Sequence, residues 1–409
     1  VLFRSLVASF AEGVREQGCD VILIGLASTD GLYFASGVLG LPGAMFTASH
    51  NPAQYNGIKL CRPGAAPVGQ DSGLREIRAM VEAGVPAFDG PLGEVREQDL
   101  LADYAQYMRD LVDVSAIRPL SVVVDAGNGM GGFTVPAVLG SAAGLPALPL
   151  SLTDMYFELD GTFPNHEANP IEPANMRDLQ AKVLEVGADL GLAFDGDADR
   201  CFVVDEKGAI VSPSTLTALI AARELAKHPG SPVIHNLITS RAVPEVIAEN
   251  GGTAVRTRVG HSFIKQTMAD TGAVFGGEHS GHFYFRDFWR ADSGMLAALH
   301  AIAALGETPA GTGFSDLLAP FIRYADSGEI NTTVSDQAAV TARIRAEFEG
   351  RDGVVFDELD GLTIGGDTWW VNVRPSNTEP LLRLNVEARD RAEMESLRDE
   401  VLAMMRAGA

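Results

Sequence analysis

Four continuous apolar runs, each closed by small or polar residues, constrain this chain most: 20–26 (DVILIGL), 121–125 (SVVVD), 189–194 (DLGLAF) and 232–238 (PVIHNLI). Runs without polar alternation suit strands covered on both faces by helices. Amphipathic stretches at 98–112 and 213–227 follow the helical period. Strand and helix in alternation predict an α/β fold. With 409 residues the chain exceeds one ordinary core. Three successive α/β units are expected at 1–100, 101–205 and 206–318, with 99–111 as a helical connector between the first two. The tail reads differently. Strands are expected at 330–334 and 381–388 and helices at 336–348 and 391–405, making a small α+β unit at 325–409 after a linker near 323–328.

The formal net charge of −23 argues against sequence-independent nucleic-acid binding and against anionic membrane surfaces, both of which need clustered Lys and Arg. A small phosphorylated substrate stays compatible, because a few local cations act within a screened field. Cys19, Cys61 and Cys201 show no C-x-x-C spacing, so no disulfide framework is expected and a reducing, cytoplasmic setting fits. The uncharged stretch 126–153 is long enough to span a bilayer, but Pro136, Pro146 and Pro149 interrupt any helix there. The chain has no initiator Met, and Phe3, Leu6, Val7, Phe10 and Val14 already recur at helical spacing, with Gly18 as a stop. It is therefore expected to begin inside its first domain.

Two motifs carry chemistry. Asp195, Asp197 and Asp199 stand at i, i+2 and i+4 between apolar strand-like flanks. In a tight loop three carboxylates supply about half of an octahedral Mg²⁺ shell, leaving room for water and a phosphate oxygen. Gly196 and Ala198 allow close backbone approach. An EF-hand would place Glu206 at its twelfth position, but Arg200 stands where the turn needs glycine. A solvated acidic turn is the plain alternative. The second motif is Thr47-Ala48-Ser49-His50-Asn51-Pro52. No Gly-x-Ser-x-Gly surrounds Ser49, and on its own the segment reads as a polar turn. Beside a cation site, a serine that carries a phosphoryl group would supply the anionic oxygen the metal lacks.

Two further polar segments stand out. In 277–282 (GEHSGH), Glu278 and Ser280 can exchange hydrogen bonds with sugar hydroxyls; a zinc site at His279 and His282 is a weaker reading. In 374–380 (RPSNTEP), an Arg fork, hydroxyls, an amide and turn N–H groups make a phosphate cradle, with Asn372 and Arg383 near enough to assist. Residues 127–132 formally fit G-x-G-x-x-G. The following stretch reaches an acidic residue, Asp154, only after a proline-rich segment, so tight packing is the preferred use of these glycines.

In order, TASHNP, DGDADR, GEHSGH and RPSNTEP resemble the α-D-phosphohexomutase family, most of all its phosphomannomutase/phosphoglucomutase branch. The resemblance implies α/β architecture, with three related α/β domains with mixed sheets plus a smaller C-terminal α+β domain. It implies Ser49 as a phosphoserine and Asp195, Asp197, Asp199 and that phosphate as the Mg²⁺ ligands. Lys59, Arg200, His261 and His282 would lie at the reacting centre. Glu278 and Ser280 would grip the sugar's 3- and 4-hydroxyls, and Arg374, Ser376, Asn377 and Thr378 the non-reacting phosphate. Mannose 6-phosphate and mannose 1-phosphate would interconvert through a hexose 1,6-bisphosphate, which is also the activator. Glucose phosphates are the first alternative; phosphoglucosamine, a metal-dependent phosphatase and a silent sugar-phosphate binding protein come after. The family's usual opening segment, with a Tyr/Asp/Arg motif and an early strand, has no counterpart here, so an N-terminally truncated first domain is expected. Arg241 stands where some relatives place a site lysine.

Overall fold

The computed structural model describes residues 2–376 and 380–407, without the side chains of Leu2, Asp71, His261 and Ser262. Four sheet-bearing units follow one another along the chain.

The second and third units meet the expectation set by their apolar runs. In the second, Leu120–Asp125 lies between Leu150–Met155 and Leu190–Phe194, parallel to both. Cys201–Asp205 and Ile210–Val211 then add antiparallel strands. Every residue of Leu190–Phe194 and Cys201–Asp205 is buried, as unbroken apolar sequence requires. In the third, Pro232–Asn236 pairs in parallel with Thr253–Thr257 and Phe275–Gly277. Phe283–Phe285 and Ala291–Asp292 extend that sheet antiparallel. Both sheets are therefore mixed. Helix Gly294–Gly306 is buried along its whole length, in keeping with its lack of charge.

The first unit departs from this pattern. The run at 20–26 forms only the strand Val21–Leu23, which pairs in parallel with the exposed strand Val95–Glu97. A separate antiparallel sheet holds Gly43–Phe46, Ile58–Arg62 and Ala66–Pro67. With one exposed neighbour, Val21–Leu23 is half-buried rather than covered on both faces. Helix Leu2–Glu16 realises the opening helical pattern, and Gly18 takes the positive φ of a stop at 73°.

In the fourth unit Leu381–Ala388 is central, flanked by Ile330–Thr333 and Ala325–Asp326 on one side and Trp369–Pro375 on the other. Leu362–Gly365 and Val355–Asp357 complete an antiparallel sheet. These last two strands, short and closed by Asp and Gly, escaped the sequence reading, as did the seven-residue Trp369–Pro375. Helices Gln337–Phe348 and Arg391–Arg406 pack on this sheet over a core of their own, centred on Ile344, Phe348, Val371, Leu384 and Val401. One continuous core joins the first three units, from Phe34 through Tyr104 and Val122 to Leu299 and Phe314. No described helix is long and apolar enough to cross a membrane.

Asp30 sits where the three joined units meet. Its carboxylate accepts from Ser28 of its own helix cap, from Tyr104 Oη at 3.0 Å and from Ser293 Oγ at 2.6 Å. Burial pushes it up to about 6, and only hydroxyls answer it.

Candidate active site

The acid loop joins strands Leu190–Phe194 and Cys201–Asp205. Ala198 has a φ of 58° and its N–H closes the turn on Asp195 O at 3.0 Å. Asp195, Asp197 and Asp199 are buried, and one oxygen from each lies within 4.8 Å of the others. Their counter-cations come from two units. Arg200 Nε donates to Asp195 Oδ2 at 2.9 Å, and its backbone N–H to Oδ1 at 3.1 Å. Lys59 Nζ donates to Asp197 Oδ2 at 2.8 Å and to Asp199 Oδ2 at 2.5 Å. Burial pushes Asp195 up, with Arg200 opposing. Asp197 is buried as well, but Lys59 and the hydroxyls of Thr29 and Thr47 hold it below the usual carboxylate range.

Ser49 is brought to this loop by its own strained turn. Its φ of 52° is left-handed, rare for a residue with a Cβ. Ser49 N donates to Thr47 Oγ1 at 2.8 Å, and Asn51 Nδ2 to Ala48 O at 2.8 Å. Ser49 Oγ donates to Asp195 Oδ2 at 3.2 Å and lies 3.2 Å from His50 Nδ1. Burial lowers His50 to about 4, so its ring is neutral at pH 7. Gly196 makes the approach feasible: a Cβ there would stand 2.4 Å from Ser49 O. Gly129 in turn packs on Gly196, where its own Cβ would be 2.6 Å from Gly196 O. The glycines at 127–132 thus serve backbone packing, and Met130 N–H donates to Gly196 O at 2.9 Å.

The structure also supplies residues that sequence reasoning missed. Thr29 Oγ1 and Thr47 Oγ1 donate to Asp197 Oδ2 at 2.7 and 3.0 Å. With Lys59 they saturate that oxygen. Their partner is 168 and 150 residues away, so nothing local gives either of them this role, although Thr47 opens the serine motif. Asp197 Oδ1, Asp199 Oδ1 and Arg200 Nη2 are buried without a hydrogen-bond partner among the described residues. Buried polar atoms are normally satisfied. Two orphaned carboxylate oxygens beside an orphaned guanidinium nitrogen fit a hard cation and an oxyanion held side by side. Glu206 faces elsewhere, accepting from Ser315 N at 2.9 Å, which removes the EF-hand reading.

The loop 277–282 turns tightly, with Gly281 at a φ of 85° and Gly281 N–H donating to Glu278 O at 3.1 Å. Glu278 is buried. Its Oε2 accepts from Tyr284 Oη at 2.6 Å and its Oε1 from Gly260 N at 3.1 Å. Ser280 is half-buried beside it. His282 Nδ1 lies 3.0 Å from Asp292 Oδ2 and 4.0 Å from Asp199 Oδ1. Burial opposes its charge, but Asp199 and Asp292 raise it overall. His282 thereby joins the third unit to the acid loop of the second. His279 is turned away, toward a small cavity between the third and fourth units lined by Ser240, Asp326, Asn385 and Glu387, so it shares no zinc site with His282.

In the fourth unit, Arg374 Nη2 donates to Glu329 Oε2 at 3.2 Å, and its Nη1 is buried without a hydrogen-bond partner among the described residues. Arg383 pairs with the other Glu329 oxygen at 2.6 Å. Ser376 N–H donates to Leu381 O at 2.9 Å. Asn372 is committed to the sheet, donating to Thr363 Oγ1 at 3.0 Å, and does not assist the cradle as expected. Arg241 is committed too: its N–H donates to Glu387 and its guanidinium to Gly366 O at 3.1 Å, so it braces the fourth unit. Asn377, Thr378 and the His261 side chain lie outside the described residues.

This order of units recurs in known proteins. Phosphoglucomutase/phosphomannomutase α/β/α domain I matches residues 3–86, domain II 102–208 and domain III 213–324, and the C-terminal domain of that family matches 329–404. The chain belongs to the phosphoglucomutase/phosphomannomutase family. It is 39% identical over 408 residues to a phosphomannomutase of Salmonella montevideo, covering 98% of this chain and 88% of that one. It is 41% identical over 406 residues to an enzyme of Xanthomonas campestris named for phosphohexose mutases, with the same coverage. A crystal structure of a family protein from Burkholderia thailandensis superposes with a TM-score of 0.85 at 30% identity, covering 99% of this chain and 86% of that one. As a member of this family the chain is an isomerase of the phosphohexomutase type.

Proposed function

We propose that the chain interconverts mannose 6-phosphate and mannose 1-phosphate through a phosphoserine at Ser49 and a hexose 1,6-bisphosphate. The observation that carries this is the pairing of Ser49 Oγ with Asp195 at 3.2 Å, beside the orphaned atoms of Asp197, Asp199 and Arg200. Asp195, Asp197, Asp199 and the phosphate on Ser49 would hold Mg²⁺, which when bound offsets charge on the phosphoryl oxygens.

This chain's own groups account for the rest. The sugar hydroxyl attacks phosphorus, the P–Oγ bond of Ser49 breaks, and the hydroxyl proton passes to a base at the cleft, a role assigned here to His282. Arg200 Nη2 and Lys59 stabilise charge on the transferring group. Glu278 and Ser280 hold the 3- and 4-hydroxyls, a grip that survives when the sugar turns end over end. Arg374, Ser376, Asn377 and Thr378 hold the other phosphate, Arg374 exchanging Glu329 for it. After turning, the second phosphate returns to Ser49 and the enzyme is restored. Three unpaired thiols support a cytoplasmic setting.

Glu278 and Ser280 do not read the configuration at C2, so glucose phosphates form a second reading and belong in the same assay. Mannose 1-phosphate and glucose 1-phosphate are each supplied with Mg²⁺ and catalytic hexose 1,6-bisphosphate, and isomer formation is followed by coupled oxidation. Intact mass should show one phosphoryl group that Ser49→Ala lacks, with turnover falling at least about a thousandfold. Release of inorganic phosphate in place of either isomer would make the protein a phosphatase and end the mutase reading.

A further inference from the structure

Behind His282 lies an ion pair with no evident part in binding substrate. Lys265 Nζ is 2.7 Å from Asp292 Oδ1, and both side chains are only 4% exposed. Asp292 Oδ2 meets His282 Nδ1 at 3.0 Å. Lys265 also stands 4.1 Å above the ring of Tyr33, which belongs to helix Thr29–Leu39 of the first unit. Asp292 and Tyr284 are register partners on adjacent strands. Tyr284 Oη holds Glu278, so one wall of the third unit braces both the sugar-gripping carboxylate and the histidine.

Stability does not explain such a pair. Removing two charges from water costs several kcal/mol per ion, and well-packed apolar replacements are often neutral or better. What the pair does provide is a fixed acceptor. A carboxylate paired with Lys265 through one oxygen and facing Nδ1 with the other favours one imidazole tautomer and ring orientation. His282 Nε2 is then left without a hydrogen-bond partner among the described residues, on a ring whose Nδ1 lies 4.0 Å from Asp199 Oδ1 of the acid loop.

We propose that Asp292, locked by Lys265, is a positioning residue that fixes the tautomer and aim of His282 for proton transfer with the sugar hydroxyl. The pair also ties that orientation to the first unit through Tyr33, so the histidine is aimed only when the serine-bearing unit is docked. This rests on the mutase reading for the role of His282, but the hydrogen bond itself is testable without turnover.

The test compares wild type with Asp292→Asn and with the volume-conserving pair Lys265→Met/Asp292→Leu, which leaves no uncompensated charge. In ¹⁵N-histidine spectra, wild type should show a slowly exchanging Nδ1 proton, assigned by its loss in His282→Gln. The apolar pair should lose it while keeping the wild-type melting transition. Turnover should fall about 10- to 100-fold with KM for the hexose phosphate within about threefold, as for other partners that orient a functional histidine. Asp292→Asn, which leaves Lys265 buried without its counter-charge, should lose kcat in the same direction. Absence of the Nδ1 proton in wild type overturns the proposal. So does wild-type kcat in the apolar pair, or a loss confined to KM. A wild-type chain with the Nδ1 signal but no isomerase activity would instead sink the mutase reading alone.

Discussion

The first and third units do related jobs on different foundations. The third carries its sugar loop on a five-stranded mixed sheet backed by a helix buried over all of Gly294–Gly306. The first carries Ser49 on a sheet divided into two- and three-stranded pieces. None of the residues of its helix Leu74–Ala83 is buried, and Met80 and Val81 are 63% and 66% exposed. The loop that must be placed most accurately thus sits on the unit with the least core of its own. Its precision is borrowed. Thr29, Thr47, Ser49 and Lys59 all bond to aspartates of the second unit, so the acid loop is a scaffold for the serine turn as well as a cation site.

The largest test of this contrast is a pair of truncations. Leu299→Ala, in the fully buried helix of the third unit, should cost about 2–5 kcal/mol, the usual range for a cavity in a packed core. Val81→Ala, in the first unit, should stay within about 0.5 kcal/mol. Urea denaturation measures both. Equal losses would mean that the first unit is held by its helices after all.

Next in size is the borrowed contact itself. Gly196→Ala puts a Cβ 2.4 Å from Ser49 O, and backbone on both sides has no side-chain tip to yield. A displaced nucleophile should cost about a hundredfold in kcat, or about 2.7 kcal/mol of barrier. Circular dichroism should stay native. Retained turnover would show that the serine turn finds its place without the acid loop.

How much of this could be read from the residues alone follows the same division. The strand runs of the second and third units are continuous, because both faces are covered, and their loops are compact motifs at strand ends; 189–194 and the acid loop after it were legible as one object. The serine turn was legible as a turn. What holds it was not. Thr29 and Thr47 act across units, and the Lys265–Asp292 pair joins a helix to the end of a strand. The run at 20–26 misled, since its apolar character says nothing about how many neighbours its strand will find. Asn372 misled for a related reason: beside the cradle in sequence, it is spent on Thr363 across the sheet.

The smallest effect lies at the joint between the units compared. Asp30 of the first unit meets Tyr104 of the second and Ser293 of the third, with no cation in contact among the described residues. Burial raises it from 3.8 to about 6. Between those values the folded state binds more protons than the unfolded chain, so stability is greater on the acid side and is lost as pH rises through about 6. From pH 5 to pH 7.5 this one group should withdraw about 1.4 kcal/mol. Asp30→Asn keeps the shape and cannot titrate. Measured by urea denaturation, the variant should therefore gain about 1.4 kcal/mol on wild type between those two pH values, whatever its offset at either one. Near pH 5 the wild-type carboxyl is mostly protonated and resembles the amide. Near pH 7.5 it is a buried anion, and the three units close around a charge that the amide variant would not carry. A constant difference across the two pH values would mean that Asp30 titrates normally, and that water reaches the joint on which the first unit depends.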